Sequence, residues 1–406
     1  MTSDGLFGGI YARGAAAAEL TDRAWLQAML DVEAALARAC AAESLIPGLA
    51  ADEIVAACRA EAFDIAQLGR AAADSATPVV GLVTALRAAV SEPARQHVHL
   101  GATSQDISDT AMMLIARRAL APLLDDARAG AEAAAALARA HRDTPMIGRT
   151  LLQEALPTTF GLRAAGWLTG LDEGRRRLME VRNTQLAVQM GGPVGARAPA
   201  VAGRVAAELG LAEPVLPWQA IRLRPVALAC ALGAFAGVLA KIARDVTLLA
   251  QQEVGEAGEG GDTDPARPRG GSSAMAHKRN PVGAVSVLAC AKRTPGLVAT
   301  ALSAMEQEHE RAAGAWQAEW GTYTDLLGLT ASATAWAREL LEDLIVHPDL
   351  MQANLAGAPT GEDPIPPGAG ELVDRALEAH GGSEPGGGSE AHGGSEPGGA
   401  SEAHGA

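Results

Sequence analysis

From Asp22 to about His141, apolar and polar residues recur at the three-to-four spacing of amphipathic helices, broken by short turns such as "ATPVV" at 76–80. Few stretches alternate with period two, so the pattern predicts helices and little sheet. Around Ala111 the predicted helices lengthen. The segment 225–253 has no internal proline and is apolar on most faces. As a helix it spans about 43 Å, and other helices must bury it, with partner subunits the expected cover. Lys241, Arg244 and Asp245 interrupt it, which argues against a membrane span.

Composition sharpens this picture. Aromatic residues make up only 3% of the 406 positions, while alanine and leucine abound, which favours helices packed closely through small side chains. Against 48 acidic residues stand 33 basic ones, a net charge of -15 that argues against a nucleic-acid surface. A cationic site in this chain must therefore be local. Cys40, Cys58, Cys230 and Cys290 show no CxxC spacing and read as small buried hydrophobes in a reducing compartment. The start, "MTSDGLFGGIYARG", lacks a basic region followed by an apolar run, so a cytoplasmic location is expected.

Beyond Asp349 the chain changes character. "GAPTGEDPIPPGAG" (357–370) reads as a linker and "ELVDRALEAH" (371–380) as one short helix. A twelve-residue repeat then begins at Glu378 and again at Glu390, with a fragment from Glu402. Gly, Ser, Pro and Glu bury too little apolar surface to offset chain entropy, so a disordered tail is expected. Its spaced His380, His392 and His404 form no ready metal site.

Three segments carry candidate chemistry. In "HVHLGATSQDISDTA", from His97, Thr103 and Asp106 fit a helix capping box; free N–H groups there let Thr103 and Ser104 hold a carboxylate, though the same box is an ordinary cap. In "GRTLLQEALPTTFGL", from Gly148, Arg149 and Thr150 are expected at the mouth of a helix, with Gln153 one turn on. In "GGSSAMAHKRNP" (270–281), Ser272 and Ser273 offer hydroxyls, Lys278 a cation and Asn280 an amide. Asn280 and Pro281 suit the N-cap and first position of a following helix. A serine hydroxyl serves as an acid–base group only when its alkoxide is stabilised, and nearby cations and N–H donors can do that.

"GSSAMAHKRNP" resembles GSSxMPxKxNP, the signature loop of the fumarase/aspartase superfamily, and "GATSQDISDTA" and "GRTLLQEALPTTFG" resemble its two other signature regions, in the right order. The resemblance implies an all-α, three-domain subunit around a central long-helix bundle. It also implies a homotetramer with active sites shared between subunits, a small polycarboxylate substrate, and no metal or organic cofactor. By position, Ser272 and Lys278 are implied as catalytic. Those implied to bind substrate are His99, Thr103, Ser104, Arg149, Thr150 and Gln153, together with Ser273, Asn280 and Arg311. On this reading residues 1–110 form an N-terminal helical domain, 111–348 the bundle, 349–380 a reduced C-terminal segment and 381–406 the tail.

Within the superfamily, members that expel an amine or hydroxide commonly carry a histidine after "GRT"; here Leu151 follows. Leucine donates no proton, so the leaving group should depart unaided, as a carboxylate does. This points to the lactone-forming cycloisomerase branch, in which Arg311 of "QEHERAAGAWQAEW" would help Lys278 hold a tricarboxylate. A related β-elimination with another good leaving group is the alternative, and a non-catalytic structural relative a more distant one. The chain departs from the pattern at Ala276, where proline is usual, at Leu151, where tryptophan is expected, and in its short C-terminal segment.

Overall fold

The computed structural model describes residues 5–260, 269–275 and 277–382. After short helical turns at Gly8–Tyr11 and Ala15–Leu20 come four longer helices, α1 (Asp22–Ala42), α2 (Gly48–Ala57), α3 (Ile65–Ser75) and α4 (Pro78–Ala88), with another single turn at Glu92–Arg95 behind them. Then follow α5 (Ser104–Ala140), α6 (Phe160–Thr184), α7 (Pro199–Leu209), α8 (Leu223–Leu249), α9 (Val282–Ser303) and α10 (Ala315–Glu342). Helices α11 (Pro348–Gly357) and α12 (Gly368–Gly382) close the described chain. Among the described residues, extended structure amounts to an antiparallel hairpin, β1 (Pro145–Thr150) and β2 (Gln153–Thr159), one short antiparallel pair, β3 (Ala257–Glu259) and β4 (Leu344–Val346), and an isolated parallel bridge between Ala187 and Ala212. The all-α class of the sequence reading holds.

Local chemistry sets the helix starts. Thr21 accepts the Ala24 N–H at 3.2 Å ahead of α1, and Thr159 accepts the Leu162 N–H at 3.1 Å ahead of α6. Small residues set how closely helices approach. A Cβ on Gly174 of α6 would lie 2.3 Å from the Phe235 ring of α8, so a larger residue there would force the two apart.

Five long helices alternate in direction. At one end, called proximal here, Arg222 just before α8 reaches Asp109 near the start of α5 and Glu319 near the start of α10. At the same end Arg224 donates to the Thr184 and Gln185 carbonyls where α6 stops, and Gln307, just past α9, reaches Glu319. At the distal end Arg142, just past α5, pairs with Asp374 of α12, and Arg269 lies 3.7 Å from Asp343 beyond α10. Thus α5, α8 and α10 start proximally, while α6 and α9 run back. The ends are about 40 Å apart along α8.

Several expectations are refined. The helix foreseen from 225 is α8, and its own chain buries about half of it. Cys230, Ala234 and Gly237 remain exposed on one face. Cys230 therefore departs from the expected burial, which Cys40, Cys58 and Cys290 follow. Burial pushes the thiol of Cys58 up to about 12 and that of Cys290 up to about 11. Helix α5 runs unbroken across residue 110. The short helix foreseen at 371–380 is the longer α12, and His380 is tied by its Nδ1 to Asp172 of α6 at 2.9 Å. The tail from 383, with His392 and His404, and the Ala276 departure lie outside the described residues.

Candidate active site

The signature loop is cinched at its base. The Asn280 backbone N–H and its side-chain Nδ2 both donate to the Gly270 carbonyl, at 2.8 and 3.0 Å. Gly270 has φ +79°, and an added Cβ would lie 2.2 Å from the Asn280 carbonyl oxygen, so only glycine fits. Helix α9 begins at Val282, and Pro281 rather than Asn280 directly precedes it. Asn280 is drawn into the loop's neck instead of capping the helix. The cap comes from Glu259, whose carboxylate accepts the Gly283 and Ala284 N–H groups at 2.9 and 2.8 Å.

Within this closed loop, Ser272 Oγ accepts the N–H groups of Ala274 (3.3 Å) and Met275 (3.2 Å). Two donors directed at one hydroxyl oxygen lower the cost of its alkoxide. Ser273 and Lys278 are exposed, and among the described residues the Lys278 ammonium makes no hydrogen bond.

"GRTLLQEALPTTFG" is not the helix mouth expected from the sequence. It forms β1 and β2, in which Thr150 pairs with Gln153 across a two-residue turn. Pro157 lacks an N–H and disfavours helix before it, so helix begins only at Phe160. Leu151 and Leu152 make the turn with φ +51° and +66°, left-handed at both positions as in a type I′ hairpin. Leu151 is 96% exposed and Leu152 73%, an apolar tip facing solvent. Arg149 is not free. Both its arms donate to buried Glu256 at 2.8 Å, and Asn354 donates to the same carboxylate at 2.9 Å.

The first segment lies at the proximal end. Thr103 is the N-cap of α5, Ser104 its first residue, and the Asp106 carboxylate accepts the Thr103 N–H at 3.2 Å. Fully buried Asp106 also accepts the N–H groups of Gly191 (3.2 Å) and Gly192 (2.8 Å). Burial raises its carboxyl above the usual range, and these donors with Arg311 oppose the rise. Arg311 donates to the Gln105 side chain (2.8 Å) and to the Gly192 and Pro193 carbonyls. His99, with φ +62°, has its Nδ1 2.6 Å from buried Glu33.

The structure therefore groups His99, Thr103, Ser104 and Arg311 proximally, and Arg149, Thr150, Gln153, Ser272, Ser273, Lys278 and Asn280 distally. One chain does not bring Arg311 to Lys278. The sequence reading missed the carboxylates that order both groups: buried Asp109 and Glu319 around Arg222, buried Glu256 just before β3, and half-buried Glu259 at the end of β3. Glu256 and Glu319 stand within "QQEVGE" and "AWQAEW", but nothing local marks Arg222. Among the described residues no cluster of three His, Cys, Asp or Glu side chains could hold a metal ion.

Comparison with known proteins gives consistent results. A lyase family model matches residues 11–296. The 3-carboxy-cis,cis-muconate cycloisomerase of Pseudomonas aeruginosa is 47% identical over 347 residues, 83% of this chain and 75% of that protein. The nitrosuccinate lyase of Streptomyces davaonensis is 44% identical over 374 residues, 87% of this chain and 77% of that protein. The crystal structure of the 3-carboxy-cis,cis-muconate lactonizing enzyme from Pseudomonas putida superposes with a TM-score of 0.84 at 35% identity, covering 93% of this chain and 99% of that one.

Proposed function

The chain belongs to the lyase family of the fumarase/aspartase superfamily, and on that premise we propose that it converts 3-carboxy-cis,cis-muconate to 4-carboxymuconolactone. The observation that carries this reading is the Ser272 hydroxyl held by two N–H donors in a loop that also presents Lys278. One substrate carboxylate adds to the conjugated double bond, forming the lactone C–O bond. The displaced electron pair moves into the neighbouring carboxylate as an aci-carboxylate. The Ser272 proton then passes to the α-carbon, and the loop N–H groups carry the alkoxide charge until solvent restores the proton. Tethering nucleophile to alkene supplies much of the rate. Leu151 and Leu152 at the hairpin tip offer no acid, which suits a carboxylate that leaves unaided in reverse.

The Thr103–Ser104 helix start and Lys278 lie at opposite ends of a bundle about 40 Å long. A site that uses both needs antiparallel copies, which supports a homotetramer with shared sites. The small-residue face of α8 around Cys230, Ala234 and Gly237 suits close packing of a second copy. Four free cysteines fit the reducing cytoplasm. A second reading, β-elimination of nitrite from nitrosuccinate, is favoured by the longer alignment with the nitrosuccinate lyase. It uses the same serine and also needs no acid at Leu151.

Purified protein is mixed separately with 3-carboxy-cis,cis-muconate, nitrosuccinate and adenylosuccinate, and the ultraviolet absorbance of the conjugated acids is followed. Loss of the muconate signal is expected, with Ser272→Ala slower by about 10²–10⁴-fold. Turnover of nitrosuccinate alone establishes the second reading, and no turnover of either sinks both.

A further inference from the structure

Beside β2, where α6 and α8 meet, lies a cavity of about 640 Å³ whose lining includes Arg149, Leu152, Thr158, Arg163, Lys241 and Asp245. No residue of the serine loop lines it. Asp245 is engaged by the Trp167 Nε1 at 2.8 Å and by Lys241. Glu256, next to the cavity, is engaged by both arms of Arg149 and by Asn354. Arg163, on the first turn of α6, makes no hydrogen bond or ion pair among the described residues. Asp245 and Glu256 are thus already engaged by other groups and Glu154 faces Arg149 across the hairpin, which leaves Arg163 as the cavity's cation without a hydrogen-bonded partner among the described residues.

Burial pushes the Arg163 guanidinium below the usual arginine range; the fields of Asp245 and Glu256 oppose this and that of Arg149 adds to it. Arg163 is half-buried, its guanidinium nitrogens are not among the buried atoms that lack a partner, and its planar fork matches a carboxylate.

We propose that this cavity is a binding site for a small carboxylate, held by the Arg163 fork at the foot of the β1–β2 hairpin and separate from the serine loop. The site does not depend on the assigned reaction, so its test reads binding rather than turnover. Full-length protein carrying Lys278→Ala, which weakens binding at the serine loop, is titrated by calorimetry with sodium succinate and, separately, inorganic phosphate at constant ionic strength.

Succinate is expected to bind with a Kd on the order of 1 mM. Adding Arg163→Met should weaken this about tenfold or more, and Arg163→Lys by less, because lysine keeps the charge and loses the fork. If Arg163→Met unfolds, as circular dichroism would show, Arg163→Lys and Arg163→Gln carry the comparison. The proposal is overturned by equal succinate affinity with and without Arg163. It is also overturned by phosphate binding in place of succinate, or by no heat at all because a second copy covers the cavity.

Discussion

Both ends of the bundle carry ion pairs closed within the chain, but they differ in the cations they leave over. Proximally, Arg222 is fully buried between Asp109 and Glu319, and Trp316, Gln105 and Gln307 occupy remaining carboxylate positions. Arg311 is spent on internal oxygens in the same way. Distally, Lys278 and Arg163 have no hydrogen-bond partner among the described residues, and two leucines in left-handed conformation stand in solvent. Charges paired within their own chain hold geometry, even though neutral neighbours such as the Gln307 Oε1 and the Tyr323 hydroxyl have no hydrogen-bond partner among the described residues. Exposed or half-buried cations left without a partner are those that can bind something else, whether substrate, anion or another copy.

The strongest way to break this contrast is to empty the proximal network. Arg222→Met leaves two buried carboxylates without their cation and should cost about 3–5 kcal/mol, read from the denaturant midpoint. Replacing all three charges at once, with Arg222→Met, Asp109→Leu and Glu319→Met, should recover most of the loss. A single variant as stable as the parent would mean that water reaches the cluster, and the proximal end would not be sealed.

A smaller effect is expected at the loop's neck. Gly270→Ala forces a left-handed alanine into the Asn280 carbonyl, at about 2 kcal/mol or more. Because the described loop is mostly exposed, the damage should show chiefly as lost turnover, with a modest fall in thermal stability. Unchanged turnover would show that the closed neck does not hold Ser272 in place. Smaller again is Glu259→Ala, which strips two N–H groups at the start of α9 of their acceptor and should cost about 1–2 kcal/mol. If Glu259→Gln keeps most of that stability, hydrogen bonding rather than charge carries the cap.

What the sequence revealed divides along the same line. Helix α8 was legible because its apolar run exceeds any strand, and the serine loop because its residue types stand in one contiguous string. The hairpin was hidden because "TLLQ" carries none of the glycine or asparagine that usually marks a type I′ turn. The Arg222 cluster was hidden because its members lie far apart in sequence, and no periodicity reports a contact between separate helices. Arg311 was found as a cation, but that it is spent within its own chain only the fold shows. Local patterns thus disclosed the groups that meet solvent better than the long-range pairs that hold them.

The smallest effect tests the hairpin tip. Leu151→Asn with Leu152→Gly supplies the residues that a type I′ turn favours and removes left-handed strain at two positions. Stability should rise by about 1 kcal/mol, visible as a higher urea midpoint. If the exposed leucines form part of a site completed by another copy, turnover should fall while stability rises, and assembly measured by ultracentrifugation should weaken. A variant that gains stability and keeps both turnover and assembly would show the tip to be idle. The distal end would then owe its unsatisfied character to Lys278 and Arg163 alone.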